Sequence, residues 1–465
     1  MGAGQAGATP GPITTAIAEH LAGATARELP EHVVERAKQH TLDTLAAIIS
    51  GSTLEPGRKA VDFVASRAAT GASTLVGPGT TTAPELAALA NGMSAHADES
   101  DDVNDLARIH PGASVVPAAL AMGEDRGVSG RDLLRAVSCG YDVGCSMTVT
   151  LFGSLAVMQK QVRSTHGIGQ TFGAMAAAAA LSGLDVERLR YVLSYTAQQV
   201  SGLYSFYRDQ HHIGKAFASA GMQASNGVRA VELVRAGCTD IADIFDTSPN
   251  VFDAFGVNAD PQQLLTELRT MHYVAETDMK QYPVGMPIQA AAQGLARIIG
   301  RDDVDPDQVE HIECRLPSHG ARIVDSRNMP DIHLQYVLAV MLMDGDVTFA
   351  SSHDYERHRS PETRAVIDRI TLVHDPLLDP PHRPNTRIAV VSARLRDGRE
   401  VVETVDAAHG SRLNPMDWPP IERKARDVLS VALDPDRADK LIATVRSLED
   451  VDDVRELRRF LRVDR

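Results

Sequence analysis

The chain has 465 residues, 43% of them apolar and only 4% aromatic, a length that buries enough surface for two unequal domains without disulfides or a structural metal. Lys and Arg total 46 against 61 Asp and Glu, and the resulting net charge of −15 repels nucleic acid and anionic membrane surfaces. Four cysteines without CxxC spacing point to a reduced, cytoplasmic protein. Met1–Pro12, rich in Gly, Ala and Pro, lacks the basic start and long apolar core of a signal peptide and is expected to be a disordered lead-in. From there to about Gly237 apolar residues recur at helical spacing. The pattern predicts helices over Ile13–Ala24, Pro30–Ser50, Lys59–Ala69, Pro84–His96, Gly112–Arg126, Gly130–Leu151, Gly169–Leu181, Asp185–Ser201 and Lys215–Ala236. Ser129 and Asp185 suit helix starts, and Gly127, Gly183 and Gly237 suit left-handed stops.

The pattern changes near Thr270. Gln308–Leu316, Ile370–Val373, Arg387–Leu395 and Glu400–Val405 alternate and are β-branched, predicting strands, with helices at Pro287–Ile299, Asp331–Met343 and Pro361–Arg369 between them. Helices return at Glu422–Leu433 and Asp434–Leu448. The fold class expected is mostly α with a smaller α+β domain. Its parts are a helical large domain (13–269), an α+β lid (270–408) and a C-terminal helical segment (409–465) returning to the large domain. The longest apolar runs, Ala174–Leu181 and Tyr336–Met343, are too short to span a bilayer.

The first dense polar cluster runs from His96 through Asp98, Glu99, Asp101 and Asp102 to Val103, followed by His110-Pro111-Gly112-Ala113. Carboxylates crowded near a histidine suit proton transfer, a divalent cation or a solvated acidic loop. A calcium loop is excluded because the required turn glycine is missing. Neither a phosphate loop, a GxGxxG nor a GxSxG elbow occurs.

Further segments follow in order: Gly140-Tyr141-Asp142-Val143, Thr171-Phe172-Gly173-Ala174, Ser201-Gly202-Leu203 with His212-Ile213-Gly214-Lys215-Ala216, Ile244-Phe245-Asp246, Phe252-Asp253-Ala254-Phe255-Gly256, Lys280-Gln281-Tyr282-Pro283, and Asp397-Gly398-Arg399 with Gly410 and Asn414-Pro415. Together with His110-Pro111-Gly112-Ala113 and Pro117-Ala118-Ala119, this set resembles the MmgE/PrpD family from about Ile13 to Leu457. The family includes 2-methylcitrate dehydratase, cis-aconitate decarboxylase and iminodisuccinate epimerase.

The resemblance implies a helical domain with an α/β lid and a cleft between them, a homodimer, no obligatory metal or organic cofactor, and a small carboxylic acid as substrate. The reaction implied is that of a lyase (a dehydratase above all) or of an epimerase, passing through a carbanion or aci-carboxylate beside a carboxyl group. By the same resemblance His110 is the acid/base residue, helped by Glu99 or Asp102; His166, two residues after the position of a family histidine, is the candidate second group. Lys280, Lys215, Tyr141, His212 and Arg163 are the substrate-binding candidates.

The sequence also departs from the family. Ser164 stands where members carry a histidine, which His166 replaces only if the segment is not helical; Asp209 replaces a lysine, Cys145 an arginine and Gln289 a histidine. With fewer cations, a tricarboxylate would lose several kcal/mol per unmatched buried charge, so a less highly charged acid or a different isomerisation is expected. The remaining alternatives are a carboxylate-binding member without catalysis and a metal-dependent enzyme that uses the acidic cluster.

Overall fold

The computed structural model describes residues 11–463, apart from 159, 258, 380, 381 and 383–386. The expected disordered lead-in lies almost wholly outside these residues. Two compact units emerge, one from the described parts of Met1–Ala97, Asp102–Thr277 and Ala432–Arg465, the other from Asp98–Asp101 and Asp278–Val431. The chain is mostly α, with a sheet in the smaller unit.

The larger unit holds α1 (Pro12–Ala22), α2 (Glu31–Gly51), α3 (Glu55–Ala65), a hairpin of β1 (Ser73–Leu75) and β2 (Thr80–Thr82), α4 (Pro84–Ala95), α5 (Gly112–Arg126), α6 (Gly130–Phe152), α7 (Leu155–Met158), α8 (Thr165–Ala180), α9 (Val186–Gln199), α10 (Ile213–Ala216), α11 (Met222–Arg235), α12 (Val251–Phe255) and α13 (Pro261–Thr270). Their ends follow local chemistry. Ser129 accepts the Asp132 N–H at the start of α6, Asp185 accepts that of Arg188 at the start of α9, and Gly127 ends α5 at φ 66°. Where α6 meets α8 the backbones touch. A Cβ built on Gly144 would lie 2.6 Å from the Gly169 carbonyl, and one on Gly140 or Gly173 would lie 2.8 Å from the carbonyl of the other. Glycines at this spacing are therefore what lets α8 lie flat on α6, and with it the N-terminus of α8 is placed.

Two features differ from the sequence expectation. α8 begins one turn earlier than Gly169, because nothing between Thr165 and Gly169 breaks the helix. The helix expected from Lys215 is α10 and α11 joined by a π turn at Phe217–Gly221, where Gly221 lies against α4: a Cβ there would be 2.7 Å from the Leu89 carbonyl.

In the smaller unit, β3 (Val309–Leu316), β4 (Ile370–His374), β5 (Ala389–Leu395) and β6 (Glu400–Val405) form one sheet in the order β4-β3-β5-β6, with only the β3/β4 pair parallel. α14 (Gln289–Ile299) and α16 (Leu334–Asp344) cover it around a core that includes Leu295, Ile312, Val337, Val391 and Val405. α15 (Ser318–Val324), α17 (Phe349–Ser352), α18 (Tyr355–Arg359) and α19 (Pro361–Ile367) fill the connections. α20 (Trp418–Leu429) stays in this unit and only α21 (Pro435–Arg446) rejoins the larger one, so the return comes at Ala432 rather than at 409. The cause is polar as well as apolar: Asp427 of α20 accepts the Phe349 N–H at 2.8 Å. Among the described residues no helix is long and apolar enough to cross a membrane.

Candidate active site

His110 sits at the end of a tightly tied loop. Asn104 N–H donates to the Ile109 carbonyl at 2.8 Å, Arg108 N–H returns to the Asn104 carbonyl at 2.8 Å, and the Asn104 side chain accepts from Ala107 N and donates to Thr277 Oγ1 at 3.0 Å. Thr165, the first residue of α8, donates its hydroxyl to the Arg108 carbonyl at 2.7 Å. The loop that carries His110 is thus fastened to the helix that carries His166.

The outcome is a row of imidazoles within the larger unit. The His96 and His110 rings are 4.7 Å apart, His96 and His212 are 5.3 Å apart, and His110 stacks on His166 at 5.5 Å and 22°. His96, His166 and His212 are buried, whereas His110 is partly exposed. Tyr204 and Phe206 present their edges to His166. His212 adopts a left-handed backbone, φ 59°, that non-glycine residues rarely take. Asp209 helps hold it there by accepting the His211 and Lys215 N–H groups on either side. Adjacent imidazoles can present a proton donor beside an acceptor, which is what transferring a proton to and from one carbon requires.

Asp102 stands behind this row as a fully buried hub. Its Oδ2 accepts from His40 Nδ1 at 2.8 Å and from Tyr141 hydroxyl at 2.5 Å, and its Oδ1 accepts from the Gly112 N–H at 3.0 Å, at the first residue of α5. Burial, and then the charge of Asp102, push the Tyr141 hydroxyl well above its ordinary pKa, so it remains a donor. Neither side chain has solvent exposure, so the direct substrate contact expected of Tyr141 is replaced by a brace, and Asp102 acts by holding backbone and not by meeting solvent.

Glu99 and Lys280 belong to the smaller unit. The Lys280 side chain is fully buried, donating to the Glu99 carbonyl at 2.8 Å and to Asp101 Oδ1 at 3.3 Å, with the Glu99 carboxylate at 3.7 Å. Burial alone would lower its pKa, but the charges of Asp101, Glu99 and Asp98 raise it above the usual lysine value. Lys424 donates to the Ser100 carbonyl at 2.6 Å, and His353 meets Asp98 at 3.2 Å. The ammonium expected to await a substrate carboxylate is therefore engaged in fastening Asp98–Asp101. Arg163, expected to bind substrate, donates to the Ala254 carbonyl at 2.6 Å and lies over the Phe255 ring. Lys215 is partly exposed.

The departures noted in the sequence acquire physical roles. Ser164 is extended (ψ 127°) just before α8, so its side chain and that of His166 reach the same side, with Oγ and Nδ1 3.3 Å apart. Only Ser164 lies outside the helix: His166 is the second residue of α8, where replacement of the missing histidine calls for a loop. Gln289 accepts from the Gln281 and Tyr282 N–H groups and donates to the Tyr282 and Val284 carbonyls, closing the loop after Lys280. Cys145 is a buried thiol whose pKa burial raises well above normal.

Of the sequence candidates, the structure brings together His110, His166 and His212. His96 carries no role in the sequence pattern of the acidic cluster, His353 reads there only as a metal-capable group in a solvated loop, and His40 is not signalled by any motif. The signal for His40 is instead the polar run Lys38–Thr41, which is buried on α2.

Residues 15–264 match the MmgE/PrpD N-terminal domain and residues 282–450 the MmgE/PrpD C-terminal domain. Among curated proteins the chain is similar to the cis-aconitate decarboxylases of Mus musculus (26% identical over 476 residues, 97% of this chain and 93% of the relative) and Homo sapiens (26% over 470 residues, 97% and 94%). The cis-aconitate decarboxylase of Aspergillus terreus is 24% identical over 486 residues, 97% and 96% of the two chains. With both halves matched in order across nearly the whole chain, the protein belongs to the MmgE/PrpD family.

Proposed function

We propose that this protein is a cofactor-independent lyase or isomerase that acts on a small carboxylic acid through a carbanion, or aci-carboxylate, intermediate. The observation that carries the reading is the row of four imidazoles, with His110 partly exposed beside His166 and His96. The relatives are named as decarboxylases, which are lyases, and that supports the class. In this reading His110 removes or returns the proton on the carbon next to the carboxyl group. The negative charge spreads into that carboxyl, and His166 or His96 serves as the second proton carrier. Expulsion of hydroxide then gives dehydration, reprotonation on the other face gives epimerisation, and loss of CO₂ followed by protonation gives decarboxylation. Positioned proton transfer of this kind contributes about 10²- to 10⁴-fold to rate.

Lys215, on the helix that follows His212, receives the substrate carboxylate. With Lys280 and Arg163 engaged elsewhere, a mono- or dicarboxylate suits the row better than a tricarboxylate. The four free cysteines accord with a reducing, cytoplasmic setting, and a homodimer is part of the same proposal.

The test is proton NMR of a panel of small mono-, di- and tricarboxylic acids in D₂O with purified protein. Deuterium at the α carbon without loss of water indicates isomerisation, and loss of water or of CO₂ indicates the lyase. His110→Ala and His110→Asn should abolish turnover while thermal unfolding stays as in the parent. Full activity in either variant rejects His110 as the proton carrier.

A further inference from the structure

We infer that His40 is a positioning residue for His110, acting through Asp102 on the loop that carries the catalytic imidazole. The inference rests on the proposed role of His110 and adds a residue from a distant helix, α2. The His40 side chain is fully buried, its ring lies 5.4 Å from that of Tyr141, and its Nδ1 is 2.8 Å from Asp102 Oδ2. Asp102 and Gly112 are the two ends of the loop holding His110, and the Asp102 carboxylate closes that loop by accepting the Gly112 N–H. A carboxylate sealed from water needs donors on both oxygens, and it finds them in Tyr141, His40 and the Gly112 backbone. Removing the His40 donor leaves a carboxylate free to rotate toward Tyr141, which loosens its hold on Gly112 and so on Pro111 and His110. A displacement of about 1 Å at a reacting group costs on the order of 10²-fold in rate.

The geometry states which edge of the ring matters. Nε2 makes no hydrogen bond to any described residue, so only the Nδ1 edge does the holding. An asparagine places an amide N–H where Nδ1 lies, whereas a glutamine places it where Nε2 lies.

The experiment compares His40→Asn, His40→Gln and His40→Ala in the full chain, reading kcat and KM separately. It also reads the His110 imidazole signal in protein labelled with ¹³C-histidine, assigned through its loss in His110→Asn. Expected are a kcat reduced about 10- to 100-fold in the Ala and Gln variants with KM nearly unchanged, near-parent kcat in the Asn variant, and a His110 signal that moves in Ala and Gln and returns in Asn. Equal kcat in the Asn and Gln variants overturns the inference, and that comparison holds even if the Ala variant does not fold. So does a His110 signal identical in all three. The NMR signal needs no substrate: if it follows the Asn/Gln pattern while no acid is turned over, the positioning stands and the proposed reaction falls.

Discussion

Replacing Lys280 by methionine separates a substrate-binding cation from a structural one. In the folded chain its ammonium meets the Glu99 carbonyl at 2.8 Å, Asp101 at 3.3 Å and the Glu99 carboxylate at 3.7 Å, and neither Lys280 nor Asp101 has any exposed surface. Breaking a buried pair by removing one partner costs about 3–5 kcal/mol, because the remaining charge keeps its desolvation penalty without the attraction that offset it. In a unit of the size of this one, roughly 160 residues, each kcal/mol moves the midpoint by about 2–4 °C, so Lys280→Met should melt roughly 10 °C below the parent. Asp101→Asn placed on top of Lys280→Met removes the charge that Lys280 matched and should recover part of the loss, a coupling that two independent sites would not show. The assay is calorimetry of the parent, both single variants and the double variant. A Lys280→Met protein that melts within 1 °C of the parent while KM for a carboxylic acid rises tenfold or more would refute the structural role and restore the ammonium to the substrate.

Two limbs of the pH–stability curve come from the smaller unit. Burial would lower the His353 pKa, but the hydrogen bond and charge of Asp98, with Asp331 and the Phe349 carbonyl, raise it to about 9. A histidine raised above its unfolded value of about 6.5 contributes fully below that pH and loses its contribution as pH climbs through about 9, at most about 3 kcal/mol. His353→Gln should therefore flatten the fall in melting temperature between pH 7 and 10. The opposite limb belongs to His333, 2.8 Å from His358, whose pKa is brought down to about 4 by burial and by the nearby charges of His358 and Arg364. Here the stabilisation is complete above about pH 6.5 and disappears between 6.5 and 4, so melting curves over that range should steepen less in His333→Asn. Gly144→Ala places a methyl against the Gly169 carbonyl, where neither backbone can yield without moving α8; about 1–3 kcal/mol of stability and a measurable part of kcat should be lost together, since α8 carries His166.

The helices and strands were legible because each repeats one signal over many residues. β6 occupies the expected Glu400–Val405, and α5 the expected Gly112–Arg126, because alternation and helical periodicity survive tertiary packing. The hairpin at Ser73–Thr82 was missed because its strands, Ser-Thr-Leu and Thr-Thr-Thr, are three residues long, too short for a period to show. α20 was assigned to the wrong side of the chain's return for a different reason. Its amphipathic pattern states that one face is buried, and nothing in that pattern says against which core.

The site was legible where the chemistry is local and illegible where it depends on partners far along the chain. His110, His166 and His212 could be picked from motifs because each sits beside a helix start, and helix starts carry glycine, proline and capping signals. The roles of the charged residues could not be read the same way. Asp102 is separated from His40 by 62 positions, and Lys280 from Asp101 by 179, so the same carboxylate and ammonium that read as reagents along the sequence are joined to each other's neighbours in space. A buried charge must be matched, and the match is what converts a reagent into a brace. Lys280, Asp102 and Tyr141 are matched inside the protein, whereas His110 keeps one partly exposed face. That difference in exposure, absent from any one-dimensional pattern, is why His110 and not Lys280 carries the proposed proton transfer.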